Sequence, residues 1–212
     1  RMSALAFVRD LLVNQLNISK LIIGYDHHFG KNREGNIVQL TEYSHLYEFT
    51  VEEIPAQDID DVSVSSTKIR TALANGNLQT ANNYLGYPFM LSGTVVNGKQ
   101  LGGKIGYPTA NINIKETYKL IPKTGVYIVM SKIQGANVYG MMNIGNRPTI
   151  GGDYQTIEVH FFDFNADLYH QQLTINLLYF LRDEQKFDSI EDLMLQLKKD
   201  EQTARNFIEK NL

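Results

Sequence analysis

The chain reads as an α/β domain followed by a small antiparallel β-barrel and a C-terminal helix. Three observations carry this reading. Helical periodicity and short, continuous apolar strands prevail up to about residue 84. From Phe89 the apolar period changes to 2, with glycine-rich connections between the runs, as in small closed barrels. From Asp188 onward the spacing is helical again. With 212 residues, 43% of them hydrophobic and 20% charged, the chain can form two small domains with cores of their own.

Composition removes several classes of function. A net charge of −3 provides no basic surface, so nucleic acid is not expected as a partner. The absence of cysteine excludes disulfides, thiolate metal sites and cysteine nucleophiles, and suits a reducing compartment. No apolar run approaches the roughly 20 residues that span a bilayer, and the start has no signal-peptide core. A cytoplasmic protein without a membrane partner is expected; the oligomeric state is left open.

In order, Ser3 caps a helix whose apolar residues Leu5, Val8, Leu11, Leu12 and Leu16 recur at helical spacing. Lys20 to Gly24 reads as a buried strand of the parallel-sheet kind, and its carboxyl end is where ligands bind in such sheets. The loop there, Gly24 to Gly35, holds Asp26, His27, His28, Phe29, Gly30 and Arg33. Adjacent histidine side chains diverge and no third ligand is near, which favours a polar loop over a metal site. A helix from Asn36 to His45 and a strand from Leu46 to Ile54 follow. Asp58, Asp60 and Asp61 form an acidic turn, solvated or cation-holding. Ser65, Ser66 and Thr67 cap the next helix, whose exposed N–H groups attract phosphate, with Arg70 one turn in. Two short helices end near Gly76 and Gly86, and the domain boundary is placed at 84/85.

Strands are expected at Met90–Val96, Gly125–Ile133, Val138–Ile144, Thr156–Phe162 and Leu173–Leu181, with a hairpin turn at Gln134–Asn137. Asp188 and Glu191 are spaced as a capping box for a last helix with Ile190, Leu193, Leu197 and Ile208 along one side. Between the first two expected strands of the barrel, Gly98, Gly102, Gly103 and Gly106 fall within nine residues. They form either a concave phosphate site of backbone N–H groups or a long hairpin loop. Thr109 and Asn111 follow as hard oxygen ligands on alternate residues, which suits Mg²⁺. Alternation puts Glu158, His160 and Phe162 on one face of their strand and Ile157, Val159 and Phe161 on the other. Glu158 is either a solvent-facing acid or a base beside a phosphate loop.

Gly106-Tyr107-Pro108-Thr109-Ala110-Asn111 resembles the Gly-Phe/Tyr-Pro-Thr-Ala-Asn signature of riboflavin kinases, and the whole chain resembles the bacterial bifunctional riboflavin kinase/FAD synthetase family. The resemblance implies a six-stranded Greek-key barrel that phosphorylates riboflavin with ATP to give FMN, and a nucleotidyltransferase-like domain that adenylylates FMN to FAD. It implies that Thr109 and Asn111 hold Mg²⁺, that the loop of Gly98, Gly102, Gly103, Lys104, Gly106 and Pro108 covers the ATP phosphates, and that Glu158 is the base. Asn143-Ile144-Gly145-Asn146-Arg147-Pro148-Thr149 is similar to a family loop, which brings in Asn143 and Arg147 on the flavin side. Leu181 to Phe187 is similar to the flavin-side lid, which brings in Arg182. Gly24, Asp26, Phe29, Gly30 and Arg33, with Ser65, Ser66, Thr67 and Arg70, match the ATP-binding segments of the FAD synthetase module.

Three positions depart from the family pattern. Gly103 stands where arginine is usual, so either Lys104 supplies the cation or the loop binds more weakly. His27 replaces phenylalanine. His170 replaces glycine, at a cost if the backbone there has φ > 0. The nucleotidyltransferase His-x-Gly-His motif does not occur, so the chain is expected to carry the last part of that domain and all of the kinase, without adenylylating FMN alone. The alternative is a barrel that carries a flavin or nucleotide without turnover. An oligonucleotide-binding barrel is disfavoured by the charge balance.

Overall fold

The computed structural model describes residues 2–211 apart from 57, 60, 61, 99, 100, 150 and 151, with the backbone alone at 58, 59, 62, 101, 147–149 and 152–154. Packing divides the chain into Arg1–Val64 and Ser65–Leu212.

In the first unit the Ser3 hydroxyl caps helix α1 (Ala4–Ala6), accepting from the Ala6 N–H at 3.2 Å. The helix continues as a π-helix over Phe7–Gln15, with wider hydrogen bonds such as Leu16 N–H to the Leu11 carbonyl at 3.0 Å. The wider winding puts Ala4, Val8 and Leu12 on the buried face and leaves Leu5 and Leu16 exposed, where ordinary helical spacing would group them with Val8 and Leu12. Strand β1 (Lys20–Gly24) pairs in parallel with β2 (Thr50–Ile54). Helix α2 (Ile37–Tyr47) makes the crossover, capped by Asn36. Glu48 ends α2 at φ 58°, so Leu46 lies on the helix and not, as expected, on the strand. Short strands β3 (Asp58–Ile59) and β4 (Val62–Ser63) pair antiparallel. Asp60, Asp61 and the Asp58 side chain of the acidic turn lie outside the described residues.

The second unit opens with α3 (Ser66–Ala74) and α4 (Leu78–Leu85), capped by the Ser65 and Asn77 side chains. Gly76 and Gly86 follow them at positive φ, as read. The sequence groups both helices with the first domain. By packing they sit with the barrel, because Ala72, Leu73, Leu78 and Ala81 are buried in its core cluster. Asn82 fastens α4 down: its Nδ2 donates to the Leu177 carbonyl at 2.9 Å and its Oδ1 accepts from the Phe89 N–H at 2.8 Å.

The barrel consists of β5 (Met90–Val96), β6 (Ala110–Asn113), β7 (Gly125–Ile133), β8 (Ala136–Thr149), β9 (Gly152–Phe161) and β10 (Gln172–Arg182), closed in the order β10-β5-β6-β9-β8-β7. A short helix, α5 (Leu101–Lys104), lies between β5 and β6. The strands β7, β8 and β9 form a meander and β10 returns beside β7, which is the Greek-key order. Gln134 and Gly135, both at positive φ, make the two-residue β7–β8 turn. Strand β6 escapes sequence reading because four residues show little alternation. The stretch Gly145–Thr149, past the expected strand end at Ile144, is strand too, because its pairing with β9 continues to Thr149 opposite Gly152.

Alternation gives the barrel two apolar layers. Leu91, Val95, Tyr127, Val129, Met142, Ile144, Val159 and Ile175 fill the interior. Val126, Ile128, Met141 and Phe162 form an outer layer under helix α6 (Ile190–Asn211), which contributes Ala204, Leu197, Phe207 and Ile208. The capping pair of α6 is Ser189 with Asp192 and not Asp188 with Glu191: the Ser189 hydroxyl accepts from the Asp192 N–H at 3.1 Å and donates to its carboxylate at 2.6 Å. Ile190, placed on the apolar side by spacing, is exposed.

His170 has φ 65° and an exposed side chain. His170→Gly is therefore expected to stabilise the unit by about 1 kcal/mol in urea unfolding; a loss of stability would contradict the strain argument. Asn82→Ala is expected to cost about 2 kcal/mol, by stripping two backbone groups of their partner. A cost near zero would mean that α4 is held by its apolar contacts alone.

Candidate functional site

One rung of the barrel carries four of the candidate residues. Arg182 on β10 is opposite Val126 on β7, Val126 is opposite Asn143 on β8, Asn143 is opposite Glu158 on β9, and Glu158 is opposite Asn111 on β6. Directly opposed residues of antiparallel strands share a face. Val126 belongs to the outer layer under α6, so this rung faces the same side. Thr109, just ahead of β6, donates from Oγ1 to Glu158 Oε2 at 3.1 Å. A hydroxyl has one proton and two lone pairs, so this bond leaves the lone pairs of Thr109 for a cation. Thr109 and Asn111 thus offer hard oxygen ligands beside a carboxylate, a donor set that fits Mg²⁺. Among the described residues no group of three or more His, Cys, Asp or Glu side chains converges to hold a metal ion.

The glycines let this approach happen. A Cβ on Gly98 would collide with the Asn111 amide, and one on Gly102 with the Tyr107 carbonyl. Part of the run is helical turn and not open loop: Gly102 lies in α5, and its carbonyl accepts from the Ile105 and Tyr107 N–H groups at 3.1 and 2.8 Å before Gly106 turns the chain at φ 85°. Gly103 and Lys104 are exposed, and nothing lies within 4 Å of a Cβ built on Gly103.

Helix α6 braces the next turn of the chain. Tyr107 donates its phenol to Glu201 Oε2 at 3.1 Å, and Arg205 bridges Glu201 at 2.9 Å to Asp163 at 2.7 Å. Burial, then the Glu201 carboxylate, pushes the Tyr107 phenol above its usual range, and the Arg205 guanidinium holds the Asp163 carboxyl below its own. His160 Nδ1 meets the Pro108 carbonyl at 2.8 Å. A carbonyl only accepts, so Nδ1 carries the proton.

Two cavities of about 310 Å³ each meet at Thr109. One is walled by Asn143, Glu158, Arg182, Glu184, Phe187 and Leu197, between the outer face of the barrel and α6. The other is walled by Pro108, Ala110, Phe164, Asp167, Leu168 and Tyr169. Arg182, in the wall of the first cavity, is held by the buried Asp200 carboxylate. The side chain of Arg147 lies outside the described residues. Glu201, Asp200 and the second cavity escape sequence reasoning. The available signal for Asp200 is a charge on the apolar stripe of its helix.

The remaining candidates belong to other elements. In the first unit Gly24 ends β1, Asp26 and Arg33 are exposed, and Phe29 is buried against Phe7 with ring centroids 5.7 Å apart. Gly30 lies against the Ala4 backbone. In the second unit Ser65 caps α3, and Ser66, Thr67 and Arg70 are exposed on its first turns.

Two family models match different parts of the chain. The family model described as Riboflavin kinase matches residues 85–208, and the one described as FAD synthetase matches residues 1–68. Bifunctional riboflavin kinase/FMN adenylyltransferases of Haemophilus influenzae and Listeria monocytogenes are 41% and 40% identical over 95% and 99% of the chain. That of Escherichia coli strain K12 is 40% identical over 97%. The chain spans 65%, 66% and 66% of the length of these relatives. A crystal structure described as a macrolide-efflux protein from Streptococcus pneumoniae matches with a TM-score of 0.84 and 34% identity, over 97% of this chain and 66% of that one. Among the described residues no helix is long and apolar enough to cross a membrane. On the match to its barrel, the chain belongs to the riboflavin kinase family.

Proposed function

We propose that this chain transfers the γ-phosphate of ATP to riboflavin, giving FMN. The observation that carries the reading is the Thr109–Glu158 hydrogen bond at the point where two cavities meet. Transfer between two substrates needs two neighbouring sites with a base and phosphate-binding groups at their junction. Riboflavin occupies the cavity walled by Asn143 and Arg182, and the nucleotide the one walled by Pro108 and Asp167 to Tyr169. The ribityl hydroxyl gives its proton to Glu158, its oxygen bonds to the γ-phosphorus, and the bond to the bridging oxygen of ADP breaks. Thr109 and Asn111 would hold Mg²⁺, which when bound neutralises charge developing on the transferred phosphoryl group. The backbone N–H groups around Gly98, Gly102, Gly103 and Gly106, with Lys104, face the phosphates; Arg147 belongs to the flavin side with Asn143 and Arg182.

The functional division is placed at 1–84 and 85–212. Gly24, Asp26, Phe29, Gly30, Arg33, Ser65, Ser66, Thr67 and Arg70 are proposed as ATP contacts of an FMN adenylyltransferase in the longer protein. The relatives' names and the FAD synthetase match support that assignment. The cysteine-free composition supports a cytoplasmic setting.

Glu158→Ala is expected to lower kcat for FMN formation by about 10²-fold or more while riboflavin and Mg-ATP still bind. Turnover within about threefold of the parent would remove Glu158 from the chemistry. A parent chain that binds both substrates and forms no FMN would favour a carrier. Gly103→Arg, for which the structure leaves space, is expected to lower the KM for ATP about threefold. An unchanged KM would separate that position from the phosphates.

A further inference from the structure

Helix α6 carries a buried charge on its apolar stripe. Leu193, Leu197, Ala204 and Ile208 follow at helical spacing, and Asp200 stands between Leu197 and Ala204 with 3% exposure. Its carboxylate accepts from Arg182 Nε at 3.0 Å, from Arg182 Nη2 at 2.7 Å and from Gln196 Nε2 at 2.7 Å. Arg182 Nη1 donates to the Asp183 carbonyl at 2.9 Å, and the Phe187 ring lies 6.0 Å from the guanidinium carbon. Three of the five guanidinium N–H groups are thereby used, and one on each terminal nitrogen remains on a side chain that lines the cavity under α6.

Such a pair is a poor device for stability. Two apolar side chains of similar volume would join α6 to β10 as well or better, since burying both charges costs what their attraction returns. An apolar pair cannot supply a guanidinium whose plane is fixed at the cavity wall. Arginine otherwise has several rotatable bonds, and an unheld one loses that entropy on meeting a ligand.

We propose that Asp200 is a positioning residue for flavin binding. It does not touch the flavin; it fixes Arg182 so that the two remaining N–H donors meet an electron-rich edge of the ring. The proposal rests on reading this cavity as the flavin site. Its consequence is one-sided: the nucleotide, on the far side of Thr109, does not depend on Asp200.

Riboflavin and Mg-ADP dissociation constants, read by fluorescence quenching and calorimetry, test this on the whole chain. Asp200→Asn is expected to weaken riboflavin about tenfold and Mg-ADP less than twofold. In an Arg182→Met background the same substitution is expected to change riboflavin binding no further, because the group it positions is gone. Unchanged riboflavin binding in Asp200→Asn, equal weakening of both ligands, or additive effects of the two substitutions would overturn the proposal. Should Asp200→Asn fail to fold, the apolar pair Arg182→Met/Asp200→Leu keeps α6 packed and must still bind riboflavin weakly; parental affinity there would overturn it too. Failure of the kinase reading is a separate result, seen as no FMN from the parent chain whatever the binding constants.

Discussion

The register of the closed barrel is the constraint on which the rest depends. A one-residue slip of β9 against β8 would turn Glu158 into the interior and bring Val159 out. Closure forbids that, because each strand is paired on both sides and the interior is packed with apolar side chains. Groups from β6, β8, β9 and β10 therefore share one rung with no local motif to hold them there. The covalent sequence separates Asn111 from Glu158, and Asn143 from Arg182; the ladder removes those distances.

Helix α6 is the second support, and it works through two consecutive acids. Asp200 reaches Arg182 on β10, and Glu201 reaches Tyr107 beside the glycine-rich turn. Both residues they hold line the same cavity. A single helix thus sets two walls at once, while its apolar side chains close the outer layer of the barrel. The Tyr107 brace also fixes Pro108, whose carbonyl holds His160, and so determines where Thr109 meets Glu158.

Much of this was legible from residue order. Met90–Val96 alternates, Gly125–Ile133 holds a continuous apolar run, and both are strands with those bounds. The faces of the Glu158 strand also follow from alternation, because one side is buried and the other half-exposed. Local rules failed where long-range pairing decides. Gly145–Thr149 contains turn-forming residues yet is held straight by β9. The π-helical winding of Phe7–Gln15 shifts which leucines are buried, and no spacing rule for an ordinary helix anticipates it. Asp200 and Glu201 look like solvated helix charges until the helix is laid on the barrel.

A structure with FMN and Mg-ADP bound would test the central claim most directly, that two substrates meet across the Thr109–Glu158 pair. The account predicts the flavin ring between Arg182 and α6, the nucleotide against Pro108 and Asp167 to Tyr169, and the FMN phosphate beside Glu158, with Mg²⁺ on Thr109 and Asn111. A flavin in any other cavity, or a phosphate remote from Glu158, would contradict it.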